Sequence, residues 1–136
     1  MKLGIIGCGN ISDIYLKNLT TVFKNVTVQA VCDIDTAKAT AQAQKYHIEG
    51  VLTLEEMLAN PEIDIVLNIT TPQTHYEICK KVLLAGKHVY VEKPLSLSYC
   101  EGKELLSIAK EKGLYIGGAP DTFLGAGIQT AIKLIK

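Results

Sequence analysis

A glycine-rich turn near the start of the chain carries the residue types that bind a pyrophosphate. The turn reads GCGNIS and follows a short apolar run, LGII. Gly7 permits a tight turn after a strand, and Gly9 has no side chain to keep an anion away from the backbone. The amides that follow, and that open a predicted helix, belong to Asn10, Ile11 and Ser12. The positive end of that helix attracts negative charge. Alone the pattern is weak, since any tight strand–helix turn can require glycine.

An acidic residue at the end of the next apolar run strengthens this interpretation. Asp33 follows a run rich in β-branched residues and lies 24 positions after Gly9, where the adenosine ribose of a dinucleotide would arrive. Its carboxylate accepts hydrogen bonds from a ribose diol but repels a 2′-phosphate. All fourteen cationic residues are lysines, and Lys38 lies inside a predicted helix. The sequence therefore predicts NAD rather than NADP. A methyltransferase has a similar turn and acid, and at this point it stays an alternative.

Two further motifs place polar residues after later apolar runs. The first consists of Thr70, Thr71, Pro72 and His75, and the second of Glu92, Lys93 and Pro94. The carboxyl ends of parallel strands meet at one edge of a sheet, so we expect both motifs beside the glycine turn. The ammonium group of Lys93 would stabilise the charge that develops on a carbonyl oxygen during hydride transfer, and it can relay a proton. An isolated loop lysine is solvated by default, and it is the place of Lys93 in the EKP motif at this edge that favours a catalytic role. His75 is open to either a site role or a packing role.

The elements that must position these residues follow from the hydropathy pattern. Short apolar runs predict strands at residues 3–6, 26–32, 50–52, 63–69, 88–91 and 114–116. Segments of helical period lie between them, at residues 10–23, 36–45, 54–58, 73–84 and 97–112. We expect Thr36 to cap the second helix, and Gly86 and Gly113 to end the last two. The alternation predicts an α/β fold: a Rossmann-type doubly wound parallel sheet in the order 3-2-1-4-5-6, with three α/β/α layers.

The last segment has a different pattern from the rest. Apolar residues there fall on one helical stripe, made up of Leu124, Ile128, Ala131, Ile132 and Ile135. Such a stripe must be buried against another surface, so we expect the isolated chain to self-associate. Residues 1–120 form the predicted dinucleotide-binding domain, and residues 121–136 begin a connection that leads away from it.

Composition excludes several classes of function. Fourteen Lys+Arg balance fourteen Asp+Glu in the 136 residues, so no basic excess indicates nucleic acid. No apolar run approaches the roughly 20 residues needed to cross a membrane. The four cysteines contain no C-x-x-C pair, so we predict no metal site and a reduced, cytoplasmic chain. Cys8, inside the turn, is expected to fill space beneath it rather than to act as a redox centre.

Taken together, these motifs resemble the Gfo/Idh/MocA oxidoreductases, named for glucose–fructose oxidoreductase and inositol dehydrogenase. The resemblance covers the whole chain and rests on GIIGCGNIS, Asp33, TTPQTH, EKPLS and the tail GGAPDTFLGAGIQTA. The EKP motif at the fifth strand is not shared by dinucleotide-binding domains in general. With the TTP motif, it argues against a methyltransferase.

The resemblance implies roles for the residues of the second half. The nicotinamide side of the cofactor would be lined by Thr70, Thr71, Pro72 and His75. Glu92 would bond the nicotinamide ribose. Lys93 would reach the reacting hydroxyl or carbonyl group of a sugar-like substrate, and Pro94 would hold the loop, commonly through a cis bond.

The same resemblance implies a second, C-terminal α/β domain that binds the substrate and completes the proton relay. We therefore expect the chain to be the amino-terminal half of an NAD-dependent dehydrogenase, inactive without that domain. The complete enzyme is expected to be a homo-oligomer. The alternative is a non-catalytic module that senses NAD and acts through a partner docked on the tail stripe.

Overall fold

A computed structural model of the chain describes residues 1–120 and 124–135. The strands in these residues are β1 (Lys2–Ile6), β2 (Thr27–Cys32), β3 (Gly50–Val51), β4 (Ile65–Asn68), β5 (His88–Val91) and β6 (Ile116–Gly118). Neighbouring strands pair in parallel, in the order β3-β2-β1-β4-β5-β6. The predicted doubly wound sheet is confirmed, together with its strand order.

Helices connect the strands and cover both faces of the sheet. They are α1 (Ser12–Thr21), α2 (Thr36–Tyr46), α3 (Leu54–Ala59), α4 (His75–Leu84) and α5 (Tyr99–Glu111), and a further helix, α6 (Ala126–Ile135), follows the last strand. On one face, Leu16 of α1 packs in a cluster with Ile5 of β1. On the other, Leu83 of α4 and Leu105 of α5 pack with Val66 of β4. Because these apolar side chains are fully buried, each helix layer is fixed to the sheet by its own core.

Local chemistry explains where the connecting helices begin and end. The carboxylate of Asp35 accepts the N–H of Ala37 at 3.1 Å and caps α2, so the prediction that Thr36 is the cap is wrong by one position. Asp35 has the extended backbone that a capping residue needs, whereas Thr36 is already helical. Gly86 and Gly113 follow α4 and α5 with φ of 79° and 66°, as predicted for helix ends.

The sixth strand lies two residues further along the chain than predicted. The N–H of Leu114 donates to the carbonyl oxygen of Ala109 at 2.8 Å, so it closes α5 and is not free to join the sheet. Gly117 lies in β6 beneath the ring of Tyr90, since a Cβ at Gly117 would be 3.0 Å from Tyr90 Cδ2. Glycine, a weak strand former, is used here because an aromatic ring approaches the backbone closely.

Four of the five residues of the tail stripe lie on a helix, as predicted, and Leu124 precedes it. Ala126–Ile135 is helical, and Ile128, Ile132 and Ile135 are exposed among the described residues. The start of the predicted connection, residues 121–123, and residue 136 fall outside the described residues. Within the described ranges, no helix has both the length and the apolar character that crossing a membrane requires.

Candidate functional site

The glycine turn after β1 is shaped by contacts that only glycine permits. At Gly7 the backbone has a φ of 103°, a region that L side chains rarely adopt. A Cβ there would lie 2.7 Å from the carbonyl oxygen of Ile69, the residue after β4. The N–H of Gly7 donates to the carbonyl oxygen of Cys32, at the end of β2, at 2.8 Å. Gly7 therefore turns the chain in the narrow space between the two strands that flank β1.

Gly9 and the amides after it form the open side of this turn. A Cβ on Gly9 would meet no atom within 4 Å, so the missing side chain leaves room for a ligand. Within residues 1–120 and 124–135, the N–H groups of Asn10 and Ile11 have no hydrogen-bond partner. Both residues are exposed at the start of α1. These amides are available to an anion, in the arrangement that the sequence predicts.

Ser12, in contrast, is turned into the protein. It is fully buried, and its N–H and hydroxyl both donate to the carbonyl oxygen of Gly9, at 3.0 Å and 2.6 Å. The hydroxyl also accepts a hydrogen bond from Nε2 of Gln42 on α2, at 3.1 Å. The expectation that the Ser12 amide is free is therefore wrong. Ser12 supports the turn from within, because both of its hydrogen-bond donors are used by the backbone.

Asp33 is aimed at the glycine turn from the end of β2. One carboxylate oxygen accepts the N–H of Cys8 at 2.7 Å, and the other accepts the N–H of Asp35 at 2.9 Å. Asp33 is half-buried, so the carboxylate keeps a solvent-facing side. Each oxygen retains a lone pair, and the pair of oxygens is presented next to the turn at which a ribose diol would bind.

A cleft of about 540 Å³ opens beside this turn. Gly9 and Asn10 form one side of it, and Lys38 and Gln42 of α2 form another. From the sequence, Lys38 could help to bind a phosphate but lies inside a predicted helix, and nothing in the pattern shows which way that helix faces. Asp13 of α1 also lines the cleft, and Asp33 is hydrogen-bonded to the same turn. The bare amides, the Asp33 carboxylate and the Lys38 ammonium are groups that fit the adenosine diphosphate part of a dinucleotide.

Cys8 has the packing role that the sequence predicts. Its side chain is buried, and Sγ lies 3.7 Å from the carbonyl oxygen of Cys32. Burial, with the nearby charge of Asp33, raises the pKa of the Cys8 thiol to about 12. A thiol held in this protonated form is a poor nucleophile and a poor redox centre.

The two later motifs meet at the same edge of the sheet, as expected from their positions after β4 and β5. Asn68 and Val91, the last residues of these strands, are paired in register. The N–H of Glu92 donates to the carbonyl oxygen of Asn68 at 2.9 Å. The fully buried side chain of Asn68 accepts the hydroxyl of Thr70 at 2.7 Å and donates to the carbonyl oxygen of His75 at 3.2 Å. Sequence reasoning missed Asn68, because it stands within an apolar run.

His75 is enclosed by the two motif loops. The residue is fully buried. Nδ1 lies 2.7 Å from the carbonyl oxygen of Pro94, and Nε2 lies 3.1 Å from the carbonyl oxygen of Thr70. The ring therefore faces protein backbone on both sides. Of the two roles that the sequence left open, this geometry favours packing. Thr71 and Pro72, on the same loop, are exposed and half-exposed respectively.

Glu92 connects its loop to the helix that follows the glycine turn. One carboxylate oxygen accepts the hydroxyl of Tyr15 at 2.9 Å, and the other accepts the N–H of Lys93 at 2.8 Å. Tyr15 was missed as a site residue, since its spacing on α1 indicates a core position. The contact joins the two halves of the candidate site through side chains 77 positions apart.

Lys93 and Pro94 form the exposed part of this loop. The peptide bond between them is cis, as the family resemblance implies. Both residues are exposed, so the Lys93 ammonium is accessible from solvent at the edge where the strands end. An exposed lysine beside a half-buried glutamate is a suitable arrangement for contacting a polar substrate.

Comparison with known proteins gives one consistent family. A family model described as "Oxidoreductase family, NAD-binding Rossmann fold" matches residues 1–117. Inositol 2-dehydrogenase/D-chiro-inositol 3-dehydrogenase of Lactiplantibacillus plantarum is 32% identical over 114 residues, which are 82% of this chain and 33% of that protein. The chain spans about a third of the length of the curated relatives that it matches.

Two solved structures with bound cofactors are also similar. GenD2 from gentamicin A biosynthesis, in complex with NAD, has a TM-score of 0.92 and 28% identity, covering 98% of this chain and 38% of that one. Biliverdin reductase of Synechocystis sp. PCC 6803, in complex with biliverdin and NADP⁺, has a TM-score of 0.87 and 29% identity, covering 98% and 42%. The fold therefore occurs with either nicotinamide dinucleotide.

Proposed function

The chain belongs to the Gfo/Idh/MocA oxidoreductases, and we propose that it is the cofactor-binding part of a dehydrogenase that acts on a sugar- or polyol-like secondary alcohol. The observation that carries the proposal is the position of the glycine turn, Asp33 and Glu92. Asp33 bonds to the turn, and Glu92 bonds to the helix that the turn begins. A binding surface for the adenosine half and one for the nicotinamide half thus share one edge.

Each group on this edge has a defined task in the proposed site. The amides of Asn10 and Ile11 bind the diphosphate, and Asp33 binds the adenosine ribose. Thr70, Thr71 and Pro72 border the nicotinamide, and Glu92 binds its ribose. Gly7 and Ser12 shape the turn, Pro94 shapes the lysine loop, and His75 supports it.

The reaction needs a group that stabilises negative charge on the substrate oxygen and transfers a proton to or from it. The cofactor, when bound, accepts or supplies a hydride. Lys93 holds its ammonium group toward the substrate hydroxyl or carbonyl, stabilises the developing negative charge and relays the proton. Its exposure in this chain supports the role, because the substrate must reach it from outside.

NAD is the proposed cofactor. The carboxylate of Asp33 favours a free diol, and the repulsion between a carboxylate and a 2′-phosphate disfavours NADP. Lys38 lines the adjacent cleft and reduces that repulsion without removing it. Calorimetric titration of the chain with NAD and NADP tests the proposal. Tighter binding of NAD is expected, whereas the absence of binding to either dinucleotide would refute the cofactor site.

We propose that residues 1–120 are the dinucleotide-binding domain and that residues 121–136 lead to a substrate domain. The relatives, about three times as long as the matched region, support this division. Without a second domain no wall encloses a substrate or excludes water, so the chain alone is proposed to be inactive. The complete enzyme is proposed to be a homo-oligomer.

The cysteines support a reducing, cytoplasmic location. All four lie among the described residues and are unpaired, although Cys100 is exposed. An exposed free thiol is compatible with a compartment that keeps cysteines reduced.

A second candidate function is a non-catalytic NAD-sensing module. The exposed apolar face of α6 favours it, because a sensor needs a surface that contacts a partner. Lys93 distinguishes the two functions, since a sensor has no use for an ammonium group at the nicotinamide edge.

A further inference from the structure

His75 contacts both loops that carry the nicotinamide-side residues, and neither contact involves a ligand-facing atom. Nδ1 lies 2.7 Å from the carbonyl oxygen of Pro94, and Nε2 lies 3.1 Å from that of Thr70. The next residue after Thr70 is Thr71, and the residue before Pro94 is Lys93. The imidazole thus lies between the backbones that present two of the proposed site residues.

The chemistry of the two contacts defines which hydrogen bonds the ring can make. Carbonyl oxygens accept hydrogen bonds and cannot donate them, and a neutral imidazole has one N–H. Both distances lie within the range of N–H···O hydrogen bonds, and the contact to Pro94 is the shorter. Nδ1–H can therefore donate to the backbone of the lysine loop, and Nε2–H to the backbone of the Thr70 loop.

From this geometry we propose that His75 is a positioning residue, whose Nδ1–H bond to the carbonyl oxygen of Pro94 holds the Lys93 loop in register with the Thr70–Thr71 loop for binding of the nicotinamide half. The inference rests on the proposed function. It assigns His75 no contact with the cofactor. The imidazole is fully buried and its contact to Pro94 is part-buried, so water replaces the lost donor only in part when the ring is removed.

The surroundings of His75 explain why its positioning role is specific to the nicotinamide half of the site. Its own carbonyl oxygen accepts the side-chain amide of Asn68, and the Asn68 carbonyl oxygen accepts the N–H of Glu92. This network joins the ends of β4 and β5. The glycine turn and Asp33 are held by a separate set of bonds, from Cys8 and Gly7. Loss of the imidazole should therefore alter the nicotinamide side and leave the adenosine side intact.

The test compares the affinities of the chain for ADP and for NAD, because ADP lacks the nicotinamide half. In His75→Phe we expect NAD binding to weaken by about tenfold, the effect of one hydrogen bond, with ADP affinity within about twofold of the unaltered chain. His75→Asn keeps an N–H donor near the Nδ1 position, and we expect it to restore most of the NAD affinity. The matched control is His47→Asn, at the exposed end of α2, where both affinities should be unchanged.

Each outcome of these titrations has a defined meaning. Equal weakening of ADP and NAD in His75→Phe would make His75 a residue of the general fold and overturn the inference, as would an unchanged NAD affinity. If the unaltered chain binds neither ligand, the proposed function fails and the positioning role with it. If it binds NAD normally and only the His75 result fails, the proposed function stands.

Nitrogen-15 NMR of the unaltered chain provides a second measurement that needs no folded variant. A protonated, hydrogen-bonded Nδ1 is expected. A ring protonated at Nε2 alone would contradict the proposed bond to Pro94, whatever the affinities show.

Discussion

The carboxylate of Asp33 accepts the backbone N–H of Cys8 at 2.7 Å, so the acid at the end of β2 and the glycine turn after β1 form one hydrogen-bonded unit. A residue that recognises the adenosine ribose is thus fixed relative to the amides that recognise the diphosphate. Such fixed placement reduces the ordering cost of ligand binding.

Replacing the charge of Asp33 should change the preference between cofactors. In Asp33→Asn the side chain keeps an oxygen for the Cys8 N–H but loses its negative charge. NAD affinity is expected to fall by about tenfold with the loss of charged hydrogen bonds, while NADP affinity rises because the repulsion of the 2′-phosphate is removed. Calorimetry with both dinucleotides measures the change.

Asp35→Asn is the control for this substitution, since Asp35 is also an acid near the turn but caps α2. It should leave the ratio of the two affinities unchanged. Equal loss of NAD and NADP binding in Asp33→Asn would mean that the carboxylate supports the turn and does not select the cofactor.

Gly7 and Gly9 should respond to alanine in opposite ways. Gly7→Ala forces a side chain into a φ of 103° and against the carbonyl oxygen of Ile69. We expect it to lower the free energy of unfolding by about 1–3 kcal/mol or more. Gly9→Ala meets no protein atom, so stability should be nearly unchanged while NAD binding weakens.

Urea denaturation and calorimetric titration of the two variants separate these effects. Loss of stability in Gly9→Ala, or normal stability in Gly7→Ala, would contradict the roles given to the two glycines.

Lys93 should be needed for turnover and not for cofactor binding. In an enzyme that joins this chain to a substrate domain, Lys93→Ala is expected to lower kcat by about 10²–10⁴-fold, the usual contribution of general acid–base catalysis. NAD affinity should be nearly retained. Steady-state kinetics and NAD titration measure the two effects, and Lys103→Ala on α5 is the control. A kcat close to normal in Lys93→Ala would remove Lys93 from the mechanism.

The cysteines should differ sharply in reactivity. Burial raises the pKa of Cys8 to about 12 and the pKa values of Cys32 and Cys79 to about 11, whereas Cys100 is exposed. Thiolates are the reactive form, so a thiol-specific reagent at pH 8 should modify Cys100 rapidly and the other three slowly. In urea all four should react at similar rates.

Cys100→Ser should abolish the fast phase of this reaction. Fast modification of Cys8 in the folded chain would contradict its packed position.

The same pKa values predict how stability depends on pH. In the unfolded chain the thiols of Cys8, Cys32 and Cys79 lose their protons near pH 9.0, before they do so in the folded chain. Their contribution to the free energy of unfolding is therefore full below pH 9.0 and is lost as the pH rises toward 11–12.

Sequence patterns predicted the fold and the glycine turn because their signals are local. Gly7 and Asp33 are recognisable from the runs that precede them, and the alternation of strands and helices leads directly to the strand order. The boundaries of β6 were harder to predict from the sequence. Gly117 has a low strand propensity, and it is tolerated there only because Tyr90 packs on it.

The missed site residues depend on contacts between distant segments. Tyr15 and Asn68 occupy positions typical of a core, and their functional partners lie on other elements. His75 was recognised as significant, but no pattern shows whether a histidine faces a cleft or two carbonyl oxygens. Ser12 was assigned a free amide, because the sequence does not reveal that the turn folds back on the carbonyl oxygen of Gly9.

Helix α1 has a consequence for how precisely the two ends of the site are spaced. It starts at Ser12, directly after the diphosphate amides, and three residues later Tyr15 holds Glu92. Three residues are less than one turn of helix, a rise of about 4.5 Å. The first turn of α1 therefore fixes the separation between the phosphate-binding amides and the Lys93 loop. That separation is set by helical geometry and not by the flexibility of the connecting loops.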